Sequence, residues 1–301
     1  MNRHTRPPRL RSGGFSLLEV AIVLGILGLV LTLGLQSTSA YFSQERRKVS
    51  LARVAAADAA LVNYVAVQGR LPCPADGSLA TGVAGAGVEA RAATGVCTAM
   101  ATGVLPWVTL GLIETEAQDG WGTRLTYRTV SAVAVAPNLG FTSNRALDAT
   151  SCDPGGAAVR VPLSFGGQTV ETCAAACTLA NLANCTSPLN LVTGRGLSVR
   201  DAIAPAGTAL MSPAAGTGAA YVLISHGENR GGGYDASGTL QAGTPANGAL
   251  EGPNANNQPV PADFIDAPFN DSDGATRFDD IVSRPTLMSL LARAQLAPRA
   301  H

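Results

Sequence analysis

Residues 15–35, FSLLEVAIVLGILGLVLTLGL, form an apolar run of 21 residues in which Glu19 is the only charge. As a helix this run is about 32 Å long, a match to the roughly 30 Å hydrocarbon core of a bilayer. A carboxylate inside such a segment costs roughly 2.5 kcal/mol or more, so its presence calls for a use. Residues 1–14 carry Arg3, Arg6, Arg9 and Arg11 and no acid, which holds this end on the cytoplasmic side and sends the rest of the chain outward. The small residues Gly13 and Gly14 precede the apolar run. In a secretory signal the small-residue cleavage site follows it.

Gly14-Phe15-Ser16-Leu17-Leu18-Glu19, after a short basic leader and before an apolar helix, resembles the N-terminal signal of type IV prepilins and type II secretion pseudopilins. The resemblance implies cleavage between Gly14 and Phe15 by a membrane prepilin peptidase, with N-methylation of Phe15 by the associated methyltransferase. The leader, residues 1–14, is then lost and the helix is kept. Its implied partners are other pilin or pseudopilin subunits and the inner membrane. The implied location is a single pass through a bacterial inner membrane, N-terminus cytoplasmic and head periplasmic, and then a pilus or pseudopilus. Glu19 also acquires a role: in low dielectric it neutralises the ammonium of a neighbouring subunit's Phe15. The plainer reading is an interfacial acid that snorkels or stays protonated.

No proline interrupts residues 15–71, and Leu51, Val54, Ala55, Leu61, Val62 and Val65 recur at helical spacing. The helix is therefore expected to continue over residues 36–69 and to stop at Gly69, ahead of Pro72. Its charged QERRK cluster, residues 44–48, reads as a solvated collar. Gly25, Gly28 and Gly34 permit close helix approach or simply reflect membrane-helix composition. Beyond it, 34 glycines and 18 prolines point to a loop-rich head over residues 70–301. Strand patterns fall around Leu125 and Tyr127, at 159–165 and at 219–225, and a short helix is expected over 284–295. The fold class expected is α+β: a long N-terminal helix packed on a loop-rich antiparallel sheet, pilin-like.

The six cysteines, Cys73, Cys97, Cys152, Cys173, Cys177 and Cys185, all follow the apolar run, which reads as a disulfide set in an oxidising compartment. Sequence leaves about fifteen pairings open, and Cys73 with Cys97 is the pairing favoured. A zinc site from the last four lacks a Cys-x2-Cys pair.

Asp119-Gly120-Trp121-Gly122, followed by Leu125 and Tyr127, resembles the Asp-Pro-Trp-Gly turn and strand of major pseudopilins, with Gly120 in place of the proline. ISHGENRGGG, residues 224–233, and FDDIV, residues 278–282, resemble that family's calcium-binding C-terminal loop. The corresponding positions are Ser225, Gly227, Asn229, Asp280 and Ile281, with Asn229 where an aspartate is usual and a long insertion between the two pieces. Asp263, Asp266, Asp271, Asp273, Asp279 and Asp280 crowd one region outside any EF-hand register. The candidate calcium ligands are Asn229, Asp271, Asp273, Asp279 and Asp280, for a structural ion. No cofactor is otherwise required.

Net charge is zero and only 14% of residues are charged, so bulk electrostatics give no nucleic-acid partner. After the leader only His226 and His301 remain, no Gly-x-Ser-x-Gly elbow occurs, and NRGGG lacks a phosphate loop's lysine. No enzyme is expected, and His226 reads as a turn or partner-contact residue. The function expected is a polymerising prepilin-like subunit, and a head this large favours a minor one. The rival readings are a ligand- or DNA-binding tip adhesin and a membrane-tethered enzyme that uses only carboxylates.

Overall fold

A computed structural model describes residues 16–93, 95–131, 140–144, 146–147, 163–165, 168–170, 192, 194–243, 248–256, 263–272, 274 and 276–297. The chain divides into two compact units, residues 1–45 and 46–301. Helix α1, Leu17–Gln68, starts in the first unit and ends in the second.

In the first unit, the apolar side chains of Leu17–Leu29 stand in the open: Leu17 is 90% exposed, Leu18 71% and Leu24 64%. By length and composition, the described stretch able to cross a membrane is Tyr41–Gln68. That stretch also holds Glu45, Arg46, Arg47, Lys48, Arg53 and Asp58, and its apolar stripe is buried in the second unit. Such charges fit a stem packed on a head better than a lipid span.

The second unit is built on a five-stranded antiparallel sheet in the order β1-β2-β3-β8-β10. These strands are β1 (Ala75–Asp76), β2 (Gly103–Val104), β3 (Thr126–Thr129), β8 (Tyr221–Ser225) and β10 (Ile281–Ser283). A three-stranded sheet, β7-β6-β9, combines β6 (Val199–Arg200), β7 (Ala209–Met211) and β9 (Phe264–Ile265). A separate hairpin joins β4 (Leu163–Phe165) to β5 (Gln168–Val170). The other described helices are α2 (Trp107–Leu110) and α3 (Leu287–Arg293).

Strand β8 explains the layering. Its residues are all buried because successive side chains point to opposite faces. Tyr221 and Leu223 join the cluster formed with α1 and α3, whereas Val222 and Ile224 join Val199, Leu197 and Phe264 on the other face. The α1 contribution is Val54, Ala57, Leu61, Val62 and Val65, each contributing on the order of 1.5–3 kcal/mol where the side chain is large and fully buried. The expected stripe is corrected in one respect: Leu51 and Ala55 are exposed, and Ala57 is inside. At that level α1 meets a polar turn rather than apolar side chains. Ser50 is fully buried, and its Oγ accepts from Gly120 N at 2.8 Å.

The stops follow local chemistry. Gly69, at φ +63°, adopts the left-handed conformation that ends α1, and its N–H donates to Val65 O. Thr286 caps α3 by accepting from Ser289 N at 3.2 Å. Strand β8 and helix α3 fall inside the segments expected from sequence. Cys73 and Cys97 form a disulfide with a Cα–Cα distance of 5.3 Å and a sequence separation of 24, a loop size that contributes about 3 kcal/mol by restricting the unfolded chain. Cys152, Cys173, Cys177 and Cys185 lie outside the described residues.

Candidate functional site

Gly14 and Phe15 lie outside the described residues. Just beyond them, Ser16 N donates to Glu19 Oε2 at 3.2 Å and Glu19 N donates to Ser16 Oγ at 3.3 Å. This is a reciprocal capping box, which satisfies two of the orphan donors at the start of α1. Within one chain, Glu19 therefore has an ordinary structural job. The Ser-x-x-Glu spacing is its signal in the sequence, and that role is neither snorkelling nor intersubunit pairing.

The turn at Asp119 links the stem of α1 to the end of β8. Asp119 Oδ1 accepts from Trp121 N and Thr123 N, both at 2.9 Å, and Oδ2 accepts from Ser225 Oγ at 2.8 Å. Arg53 Nη1 donates to Gln118 O and Asp119 O. A side chain at Gly120 would place its Cβ 2.2 Å from Arg46 O, so only glycine lets the turn seat against the helix backbone. Ser225 is thus a partner of Asp119.

Burial pushes the Asp119 carboxyl up to about 6, against the lowering effect of its three hydrogen bonds. Such a group contributes stability that is fully present below about pH 4 and is lost as pH rises through about 6. Asp119→Asn keeps the acceptor for both backbone N–H groups and removes the buried charge. At pH 7.5 it is expected to match or exceed wild-type stability, by up to about 3 kcal/mol, with the difference shrinking toward pH 4. Asp119→Ala orphans the donors and is expected to cost about 2 kcal/mol or more. Denaturant titration at the two pH values checks both, and an Asn variant as unstable as Ala would overturn the account.

Downstream, Glu251, Asp279 and Asp280 each place one carboxylate oxygen within 4.8 Å of the others, and all three are buried. Asp279 and Asp280 lead into β10, and Glu251 precedes the 3-10 turn Gly252–Asn254. Glu251 Oε1 accepts from Asp279 N at 2.8 Å, and Oε2 accepts from Asn229 Nδ2 at 2.7 Å. Asp279 Oδ2 accepts from Glu228 N and Asn229 N, both at 3.0 Å, and from Arg277 Nη2 at 2.8 Å. Asp280 Oδ2 accepts from Asn254 Nδ2 at 2.8 Å. Asp279 Oδ1 and Asp280 Oδ1 have no hydrogen-bond donor among the described residues.

Gly227, at φ +59°, packs so tightly that a Cβ would lie 2.5 Å from Asp279 O and 2.6 Å from its carboxylate. Burial and the neighbouring acids push Asp280 well above the usual carboxylate range, and burial and Asp279 push Glu251 up. Buried carboxylates this close need protons or a cation. The two bare oxygens beside a third carboxylate fit a metal ion, and an all-oxygen donor set suits a hard one.

Among the expected ligands, the structure brings Asn229, Asp279 and Asp280 together and adds Glu251, which no sequence motif marked. Asp271 is exposed on the 270–278 turn and shares no hydrogen bond with the cluster; among the described residues, its backbone oxygen accepts from Arg277 Nη1 at 3.3 Å. Asp273 lies outside the described residues. Asp263 accepts from Ser198 Oγ at 2.5 Å, and Asp266 pairs with Arg284 Nε at 2.6 Å. Ile281 serves the core. His226 stands at the start of a turn, as expected, its O accepting from Arg230 N at 3.1 Å, but its ring is fully buried rather than offered to a partner, with Nε2 2.7 Å from Thr126 Oγ1 and Nδ1 3.7 Å from Asp280 Oδ1. Comparison with family models, with characterised proteins and with solved structures finds no match to this chain.

Proposed function

We propose that this chain is a prepilin-like structural subunit, cleaved after Gly14, N-methylated on Phe15 and assembled through its N-terminal helix into a type IV pilus or a type II secretion pseudopilus. The observation that carries the reading is the exposed apolar surface of Leu17–Leu29. A helix apolar all round and left uncovered within its own unit needs lipid before assembly and sister helices after it. The helix-on-antiparallel-sheet head is compatible with this role, which is polymerisation rather than catalysis. In the membrane, Glu19 gives up its capping-box partner and pairs with the Phe15 ammonium of a neighbour. The head's size favours a minor or specialised subunit. Calcium is the cation for Glu251, Asp279 and Asp280, where it stabilises the loop after β8.

The test separates the cap from the intersubunit pair. Glu19→Gln retains the Ser-x-x-Gln capping box and removes the charge, while Glu19→Ala removes both. With prepilin peptidase present, both variants are expected to be inserted and trimmed to a species beginning with N-methylated Phe15, read by mass spectrometry. Both are expected to lose incorporation into filaments. Normal incorporation of Glu19→Gln would leave only the capping role, and a mature chain retaining residues 1–14 would end the prepilin reading.

A further inference from the structure

Four buried side chains form a line whose proton directions can be assigned from one end. Arg128 is buried, and its guanidinium only donates. Arg128 Nη2 lies 2.8 Å from Asn256 Oδ1, so that oxygen is the acceptor and the amide orientation is set. Asn256 Nδ2, 2.6 Å from Thr126 Oγ1, must then be the donor of that contact. The Thr126 hydroxyl has a single hydrogen, and its remaining partner is His226 Nε2 at 2.7 Å. Donating there leaves Nε2 as an acceptor and puts the imidazole proton on Nδ1. On the far side of the ring, Nδ1 lies 3.7 Å from Asp280 Oδ1, just beyond hydrogen-bond reach, and neither atom has a hydrogen-bond partner among the described residues.

We infer that His226 is a positioning residue for the carboxylate cluster, locked as the neutral Nδ1–H tautomer with that N–H directed at Asp280 Oδ1, and is not itself a metal ligand. The opposite tautomer leaves the Thr126 hydrogen without an acceptor and turns a bare nitrogen lone pair toward a carboxylate. Full burial favours the neutral ring over the charged one. Asp280 is then held by the Asn254 hydrogen bond on Oδ2 and, across 3.7 Å, by the electrostatic pull of the His226 N–H on Oδ1, which stays open to a cation. With the histidine nitrogen occupied by its own proton, the donor set is oxygen only, which selects calcium over zinc. The ligand in this inference rests on the cation reading above; the tautomer does not.

The full-length chain in lipid nanodiscs, labelled with 15N-histidine, reports only three residues, His4, His226 and His301. Loss of one signal set in His226→Asn assigns the resonance. The expected spectrum shows a protonated Nδ1 and an unprotonated Nε2, unchanged in type by calcium. In calcium titrations His226→Ala is expected to bind about 10–100-fold more weakly, the usual cost of removing a group that orients a ligand. His226→Asn, whose amide returns an N–H near the Nδ1 position, is expected to recover most of that affinity. An Nε2–H tautomer, a metal-induced shift diagnostic of Nδ1 coordination, or equal affinities for the Ala and Asn variants would each overturn the inference. Failure of the wild-type chain to bind calcium would remove the cation reading, while the spectrum still decides the tautomer. If the Ala variant does not fold, the wild-type spectrum with and without calcium remains decisive.

Discussion

Calcium present at about a thousandfold excess over its dissociation constant is expected to stabilise the folded chain by about 4 kcal/mol at pH 7.5, an increase of roughly 10 °C in the thermal midpoint for a head of this size. The effect should shrink toward pH 5. The folded-state pKa values of Asp280 and Glu251 are raised, so the stability these groups contribute is fully present below their unfolded values and is lost as pH rises through the raised ones. Above that window the cluster carries unrelieved like charge, which a cation neutralises; below it, protons have already done so. His226 titrates in the opposite sense, because burial depresses it, but it contributes equally with and without calcium and cancels in the comparison. Asp280→Asn is expected to remove most of the calcium response while raising stability in chelator. Calorimetry with chelator and with calcium at the two pH values measures this. Identical midpoints at pH 7.5, or a full calcium shift in Asp280→Asn, would exclude the cluster as the binding site.

Arg124→Met is expected to cost about 3–5 kcal/mol, the range for removing one partner of a buried, hydrogen-bonded ion pair. Arg124 is completely buried in β3's approach to the sheet. Nε and Nη2 donate to Glu114 Oε1 at 3.0 and 2.7 Å, and Nη1 donates to Gly77 O and Leu79 O at 3.0 and 2.7 Å. Nη2 also reaches Ala236 O at 3.2 Å, and the guanidinium lies 4.9 Å from the Trp107 ring centroid. Methionine replaces the volume and none of the donors, so Gly77 O and Leu79 O lose their donor and Glu114 loses its counter-charge, while Thr81 still donates to Ala236 O and Glu114. Denaturant unfolding of Arg124→Met, Glu114→Gln and the double variant measures the pair. A loss below about 1 kcal/mol for Arg124→Met would refute this account.

The two sites differ in how they can be read. The capping box is local, complete within Ser16–Glu19, so its chemistry is visible in a four-residue spacing. The carboxylate cluster is spread over three segments. The pair Asp279–Asp280 and the polar loop containing Asn229 are conspicuous in sequence. Glu251 sits alone in a Gly- and Asn-rich stretch and acquires meaning only when the turn at 252–254 carries it beside Asp279 N. Asp271 shows the converse: it lies in the densest acidic stretch, yet its turn leaves its side chain in solvent.

By itself, the sequence determined the elements that depend on neighbours along the chain: the apolar run after a basic stretch, the helix to Gly69, the apolar strand β8, the helix over 287–293, and a hydrophobic period that demanded a sheet to cover it. These are set by spacings of one to four residues, and such spacings are written in order. Tertiary structure alone decided which face of α1 was buried at Leu51, which polar residues went inside, and what His226 and Arg124 do there. Their partners lie up to 112 residues away, and a buried polar group is tolerable only where the fold delivers every donor and acceptor it needs.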